Sequence, residues 1–78
     1  MSRFAEFMAD VFVELEAADV KHGDWKDRSF KACIDSIYDE VSEADRAGRH
    51  NDIDGLHGVK RESVQVAVTA FKLWRRVQ

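Results

Sequence analysis

The chain has 78 residues, of which 35% are charged, with one cysteine and a formal net charge of −3. A chain this short, without an internal disulfide, has a thin stability margin, so we expect one domain over residues 1–78 that self-associates as a homodimer or homotetramer. The negative charge disfavours binding to extended nucleic acid, which needs a basic face. We find no signal peptide and no apolar run of ~20 residues, and therefore expect a cytoplasmic protein without membrane association.

The first predicted helix covers residues 2–22. Its apolar residues recur at three- and four-residue steps, which is the helical period: Phe4, Phe7, Met8, Val11, Phe12 and Leu15. Gly23 stands just past this segment, and Lys21 and His22 suit the negative end of the helix dipole. These residues predict a helix that ends at His22.

The second predicted helix covers residues 26–47. One face carries the apolar residues Phe30, Ile34, Ile37, Tyr38, Val41 and Ala44. Asp24, Asp27 and Ser29 are alternative N-caps, and Gly48 is the predicted terminator. A polar loop over residues 49–58 follows, and its length, above that of the usual connection, favours a functional role.

The third predicted helix covers residues 59–77 and has two apolar faces. One face carries Val64, Ala67, Val68, Phe71 and Trp74, and the other carries Val66, Ala70, Leu73 and Val77. A helix that is apolar nearly all round is central, so we expect one face in the core and the other against another subunit, with Trp74 in the core or interface. Together the three segments predict an all-α fold, an antiparallel helical bundle that dimerisation completes.

A cluster of acidic residues is the clearest chemical signal. Glu40 and Glu43 are three residues apart on the second helix, which makes them neighbours about 5–6 Å apart at Cβ, and Glu62 lies at the border of the apolar surface of the third helix. Like charges gathered in this way repel, and a hard divalent cation such as Mg²⁺, which takes oxygen ligands, would compensate. The alternative is that these carboxylates are solvated surface residues, and their spacing alone does not exclude it.

The acidic residues also carry a resemblance to a known family. Asp39-Glu40-x-x-Glu43, followed after a loop by Glu62-x-x-Gln65, resembles the paired motifs E-E-x-x-E and E-x-x-D of MazG-like all-α nucleoside triphosphate pyrophosphohydrolases. Residues 14–25 and 61–68 are similar to segments of the small phage and prophage members, so the resemblance spans about residues 14–74. Asp39 stands where Glu is usual, and Gln65, which brings no negative charge, stands where Asp is usual.

The resemblance implies a single MazG-like domain with a defined site. Glu40, Glu43 and Glu62 would be catalytic and would, with Gln65, hold Mg²⁺ or, alternatively, Mn²⁺. The substrate would be a nucleotide, cleaved to a nucleoside monophosphate and pyrophosphate, and a phage-encoded chain would work in the host cytoplasm. The implied nucleotide-binding residues are Lys21, Lys60 and Arg61, which would neutralise phosphate charge, and Trp25, which would stack on a base.

The sequence leaves two other functions open. Because Gln65 weakens the predicted cation site, the same scaffold would suit a protein that binds a nucleotide without cleaving it. Alternatively, the chain is a helical oligomerisation or host-interaction module, in which case the acidic cluster is dispensable.

Several polar and aromatic residues also have purely structural interpretations. Trp25 would serve equally well as a lid over the core, and Cys33 is expected to be a small buried residue. Asp52 and Asp54 favour turn positions over auxiliary metal ligation. The histidines lack a zinc-binding spacing, and those of the loop, such as His57, are expected in solvent.

Overall fold

The computed structural model describes residues 2–77 and consists of three α-helices. They are α1 (Arg3–His22), α2 (Phe30–Arg49) and α3 (Val59–Arg76). α3 packs against both other helices, whereas no Cα atoms of α1 and α2 lie within 8 Å of each other in the described residues. None of the three helices has the length and apolar character that crossing a lipid bilayer requires. The predicted all-α class and the central position of the third helix are confirmed.

The three helices alternate in direction along the chain. The Arg75 guanidinium near the end of α3 pairs with the Asp19 carboxylate near the end of α1 at 2.8 Å, so α1 and α3 run the same way. The Arg76 side chain donates to the Arg28 carbonyl just before α2, also at 2.8 Å, so α2 runs antiparallel to α3. The result is a flat layer of 36 × 29 × 19 Å in which α3 lies in the middle, parallel to α1 and antiparallel to α2.

Serine caps set the beginnings of α1 and α2. The Ser2 and Ser29 hydroxyls each accept a hydrogen bond from the backbone N–H three residues on, at 3.0 and 3.1 Å, which satisfies a free donor of the first turn. Of the three candidate N-caps of α2, Ser29 is therefore the one used, and α2 begins at Phe30 rather than at residue 26. The end of α1 agrees with the prediction, because Gly23 takes a positive φ of +76°, which glycine adopts at little cost, and its N–H donates to the Asp19 carbonyl.

Gly48 does not terminate α2, contrary to the prediction. α2 continues to Arg49, and the chain leaves the helix through Asn51, whose φ of 57° lies in the left-handed region that asparagine tolerates. The Asp52 N–H then donates to the Ala47 carbonyl at 2.9 Å and closes the helix end. Asparagine supplies the terminating conformation that was expected of the glycine.

The apolar core is small and lies mainly between α1 and α3. Its buried centre is Val11, Val64 and Val68, with Phe7, Leu15, Ala18 and Ala67 packed around it. Cys33 of α2 is fully buried, as predicted. Trp74 is 57% exposed, so it does not belong to the core, and its place in an interface stays a prediction.

The burial of Lys72 explains why Trp74 points outward, since residues two positions apart on a helix point in nearly opposite directions. The Lys72 ammonium donates to the Gly23 carbonyl at 2.7 Å and lies 5.1 Å from the centre of the Trp25 ring, a cation–π contact. Burial lowers the pKa of Lys72, and Asp19, 3.6 Å away, opposes this effect. Trp25 is itself buried and closes this corner of the molecule as a lid.

The thin core makes stability sensitive to one valine. Val68→Ala removes two methyl groups from a side chain that is 1% exposed, so we expect the free energy of unfolding to fall by about 2 kcal/mol. Val20→Ala is the matched control, because Val20 is 90% exposed and its change should stay within ~0.5 kcal/mol. Urea unfolding followed by circular dichroism measures both, and equal losses in the two variants would contradict the assigned core.

Candidate carboxylate site

Three glutamates from two helices converge between α2 and α3. Glu40 and Glu43 lie one turn apart on α2, and because α2 runs antiparallel to α3 they face its first turns, where Glu62 stands. One carboxylate oxygen of each glutamate lies within 4.8 Å of those of the other two. The structure therefore brings together the three acidic residues that the sequence analysis selected.

Glu62 is the most buried member of this carboxylate site. It is 4% exposed, and its Oε2 atom is buried without a hydrogen-bond partner among the described residues. Its Oε1 atom lies 3.6 Å from Nδ1 of His57. A buried, unpaired carboxylate oxygen is costly, so this atom needs a proton, a water molecule or a cation.

The convergence shifts the acidity of two of the glutamates. Burial, followed by the charge of Glu43 and the interactions with Glu62, raises the pKa of Glu40 to about 7. Burial, followed by the nearby Glu43 carboxyl group, also raises the pKa of Glu62, and the charge of His57 opposes this effect. Without a cation, Glu40 and Glu62 therefore hold protons at pH values where isolated glutamates are ionised.

A cavity of about 280 Å³ opens beside the three carboxylates. It is lined by Glu40, Glu43, Leu56, His57, Arg61, Glu62 and Gln65. Glu40 and Glu43 line its α2 wall and Glu62 lines its α3 wall, and the His57 imidazole and the Arg61 guanidinium lie close to these carboxylates. Two of the other predicted site residues, Gln65 and Arg61, are thus next to the carboxylates.

Glu14 of α1 holds the side chains of Gln65 and Arg61 in place. The Gln65 amide nitrogen donates to Glu14 Oε2 at 2.9 Å, and the Arg61 guanidinium lies 3.0 Å from Glu14 Oε1. Since the amide nitrogen is held by Glu14, the carbonyl oxygen is the atom with which Gln65 would approach a cation. Sequence analysis gave Glu14 no role, because its partners lie about fifty residues further along the chain.

His57 and Leu56 are the other two residues that the sequence analysis missed. The His57 side chain is 83% exposed, which agrees with the expectation of a solvated loop residue, yet its ring nitrogen lies beside Glu62. Leu56 lines the same cavity although it is 75% exposed. The one available signal was the length of the loop over residues 49–58, whose last turn carries both side chains to the site.

The loop aspartates and Lys60 lie beside the site rather than in it. Asp52 Oδ1 accepts a hydrogen bond from the Gly55 N–H at 3.0 Å, the turn role that was preferred for it. Lys60 is exposed, and its ammonium lies 3.9 Å from Asp54. It lines a second cavity of about 620 Å³ between α1 and the start of α3, and Arg61 lines both cavities.

Lys21 and Trp25 are not brought to the carboxylates. The Trp25 ring lies over Lys72, which is ten residues beyond Glu62 on α3 and therefore about 15 Å further along the helix axis. Lys21 is exposed in the last turn of α1, the end that pairs with the C-terminal half of α3. Of the two interpretations of Trp25, the structure places it as a lid over a buried corner.

Comparison with protein-family models, with curated proteins and with solved structures gives no match to this chain. The resemblance to MazG-like proteins therefore stays a prediction that rests on the motifs alone.

The raised pKa values predict an unusual pH dependence for the metal-free protein. Because Glu40 shifts from an ordinary 4.5 to about 7, the folded chain binds more protons than the unfolded chain between these values. The free energy of unfolding should then fall as the pH rises from about 4.5 to 7, whereas carboxylates in ion pairs give the opposite slope. Urea unfolding in EDTA at a series of pH values measures this slope.

Glu40→Gln should flatten that slope and stabilise the metal-free chain at pH 7 by about 1 kcal/mol, because a neutral amide does not repel Glu43. Asp39→Asn is the matched control, since Asp39 is the exposed neighbour on the same helix and lies outside the cluster. A slope that is the same in wild type and Glu40→Gln would contradict the assigned coupling.

Proposed function

We propose that the chain is a Mg²⁺-dependent nucleotide pyrophosphohydrolase, with Mn²⁺ as an alternative metal, that cleaves a nucleoside triphosphate into a nucleoside monophosphate and pyrophosphate. The observation that carries the proposal is the meeting of Glu40, Glu43 and Glu62 around the buried, unpaired Oε2 atom of Glu62. The order and spacing of the same residues, which resemble the motifs of MazG-like enzymes, support it independently.

The donor atoms suit a hard divalent cation. Three carboxylates and the carbonyl oxygen of Gln65 are oxygen donors, which Mg²⁺ and Mn²⁺ prefer. Zn²⁺ sites are usually built from cysteine and histidine, and His57 is the single residue of these two types that approaches the cluster in residues 2–77. A cation would also relieve the repulsion among the carboxylates and partner the unpaired oxygen, so the residues present fit the metal that the resemblance implies.

The three glutamates differ in exposure, and each would therefore have a different role. A bound cation would supply positive charge to the phosphates and increase the acidity of a water molecule. Glu62, which is shielded from solvent, would anchor the site, with Glu40 beside it. Glu43 is the most exposed of the three glutamates, so it is the best placed to accept a hydrogen bond from the attacking water and orient it.

The two cavities suggest how a nucleotide would lie. The cavity beside the carboxylates, about 280 Å³, is suited to a phosphate group rather than to a whole nucleotide. Arg61, half exposed at its edge, would neutralise phosphate charge. Because Arg61 also lines the cavity of about 620 Å³ between α1 and α3, the sugar and base would extend into that cavity, where Phe7 and Val64 offer apolar walls and Lys60 a second positive charge.

A nucleotide-binding protein without hydrolase activity is the second candidate. The observation in its favour is Gln65, which supplies no negative charge and whose amide nitrogen is already bonded to Glu14. A weaker cation site would capture a nucleotide without driving its cleavage.

Pyrophosphate release from a panel of ribo- and deoxyribonucleoside triphosphates tests the proposal. With Mg²⁺ we expect turnover that EDTA abolishes and that Glu43→Gln lowers by about 100-fold or more, the usual scale for losing a group that orients or activates water. Asp39→Asn, which alters an exposed carboxylate outside the cluster, should retain wild-type activity.

The absence of Mg²⁺- or Mn²⁺-dependent turnover on every nucleotide would reject the hydrolase. Calorimetry then distinguishes the alternatives. Tight binding with the nucleotide recovered intact would select the binding protein, and no binding would leave the carboxylates without a nucleotide function.

A further inference from the structure

The single chain exposes more surface than a folded protein of its mass normally does. Its accessible surface is 5718 Å², whereas a compact monomer of 9.0 kDa is expected to expose about 4,850 Å². The radius of gyration, 12.8 Å, also exceeds the ~11.5 Å expected for a compact domain of this length. The excess area, about 900 Å², is close to the ~800 Å² that each partner buries in a standard protein interface.

Large apolar side chains account for much of this excess. Each of the three helices carries its own exposed apolar stripe: Phe4, Met8 and Phe12 on α1; Ile34, Tyr38 and Val41 on α2; and Ala70 and Trp74 on α3, with Val77 just past its end. We call these nine residues the apolar face. Phe4, Phe12 and Tyr38 are each more than 60% exposed, which is unusual for aromatic residues of a chain with so small a core.

Helical geometry places the three stripes on one side of the layer. A residue that follows a core-facing residue is rotated from it by about 100°. Phe12 follows Val11 on α1, and Ile34 follows Cys33 on α2. α2 flanks α3 on the side opposite to α1, which reverses the direction of this rotation, and α2 also runs in the opposite direction, which reverses it again. Phe12 and Ile34 therefore lie on the same side of the layer.

The middle helix continues the same surface. On α3, Ala70 follows Thr69, which lies on the α2-facing side of the helix with Glu62, and Trp74 lies one turn beyond Ala70. Ser63 and Ala67 continue the α3 stripe toward the start of the helix, and none of these residues is charged. The opposite side of the layer holds the residues that precede the core-facing ones, among them Glu43 and Arg61. The apolar face and the carboxylate site are thus on opposite sides of the molecule.

We propose that the apolar face is the interface with a second copy of this chain, which covers it back to back and leaves both carboxylate sites open to solvent. A two-fold dimer buries the same patch on each partner, so one chain supplies both halves of the interface. The uncharged α3 stripe lies at its centre, where protein interfaces are usually depleted of charged residues. The excess exposed area, about 900 Å², is close to the area that each partner of a stable dimer buries. The inference does not depend on the proposed hydrolase activity.

Sedimentation equilibrium over a hundredfold range of protein concentration tests the interface. We expect wild type to sediment at twice the 9.0 kDa chain mass or at an even multiple of it. Phe12→Asp should weaken association by at least ~30-fold in Kd, the scale expected when a charge replaces an aromatic residue that the interface buries. Val13→Asp is the matched control, because Val13 is as exposed as Phe12, at 63% and 61%, but points away from the apolar face.

A second readout covers the case in which Phe12→Asp does not fold. In wild type, dilution should increase the fraction of tryptophan fluorescence that acrylamide quenches, because Trp74 becomes exposed while Trp25 stays buried within its own chain. The melting temperature should also rise with protein concentration. A chain that stays monomeric at every concentration would overturn the proposal, as would an oligomer that Val13→Asp disrupts and Phe12→Asp leaves intact. A monomer that sediments with anionic phospholipid vesicles would assign the face to a membrane surface and would overturn it equally.

Discussion

The burial of Glu62 between α2 and α3 is the constraint on which the rest of the structure depends. A carboxylate that is 4% exposed, with one oxygen unpaired and two further glutamates within reach, opposes folding unless a proton or cation compensates. Protons do so in the metal-free chain, because burial of Glu40 and the charge of Glu43 raise the pKa of Glu40 to about 7. The same geometry favours any divalent cation that replaces those protons, because the repulsion is removed when the cation binds.

Polar contacts, rather than a large core, fix α1 against α3 on either side of this constraint. At one end Glu14 joins Arg61 and Gln65, and at the other Asp19 joins Lys72 and Arg75. The first contact lies directly behind the carboxylate site, so the position of α1 determines where two of its neighbours stand. The second contact stabilises a corner remote from the chemistry, in which the pKa of Asp19 is lowered mainly by its hydrogen bond to Arg75.

The sequence predicted the helices and the acidic pair on α2 because both depend on local periodicity. Helical spacing makes Glu40 and Glu43 neighbours in any context, and a glycine after α1 ends that helix through its own backbone. The sequence could not predict which side of α3 would be buried, because α3 is apolar nearly all round. The burial of each side depends on packing against α1 and α2, which are distant in sequence. Trp74 and Lys72 illustrate this limit, since the charged residue is buried and the aromatic one is exposed. The contributions of Glu14, Leu56 and His57 to the site likewise depend on long-range packing and on a loop conformation that no local pattern encodes.

Thermal unfolding with and without Mg²⁺, in wild type and in Glu62→Gln, tests the central claim most directly. If the buried carboxylate holds a cation, Mg²⁺ should raise the melting temperature of wild type, by the equivalent of about 2.7 kcal/mol at a hundredfold excess over Kd. Glu62→Gln should be at least as stable as wild type without metal and should not respond to Mg²⁺. A wild type that is indifferent to both Mg²⁺ and Mn²⁺, or a variant that responds as wild type does, would contradict the account.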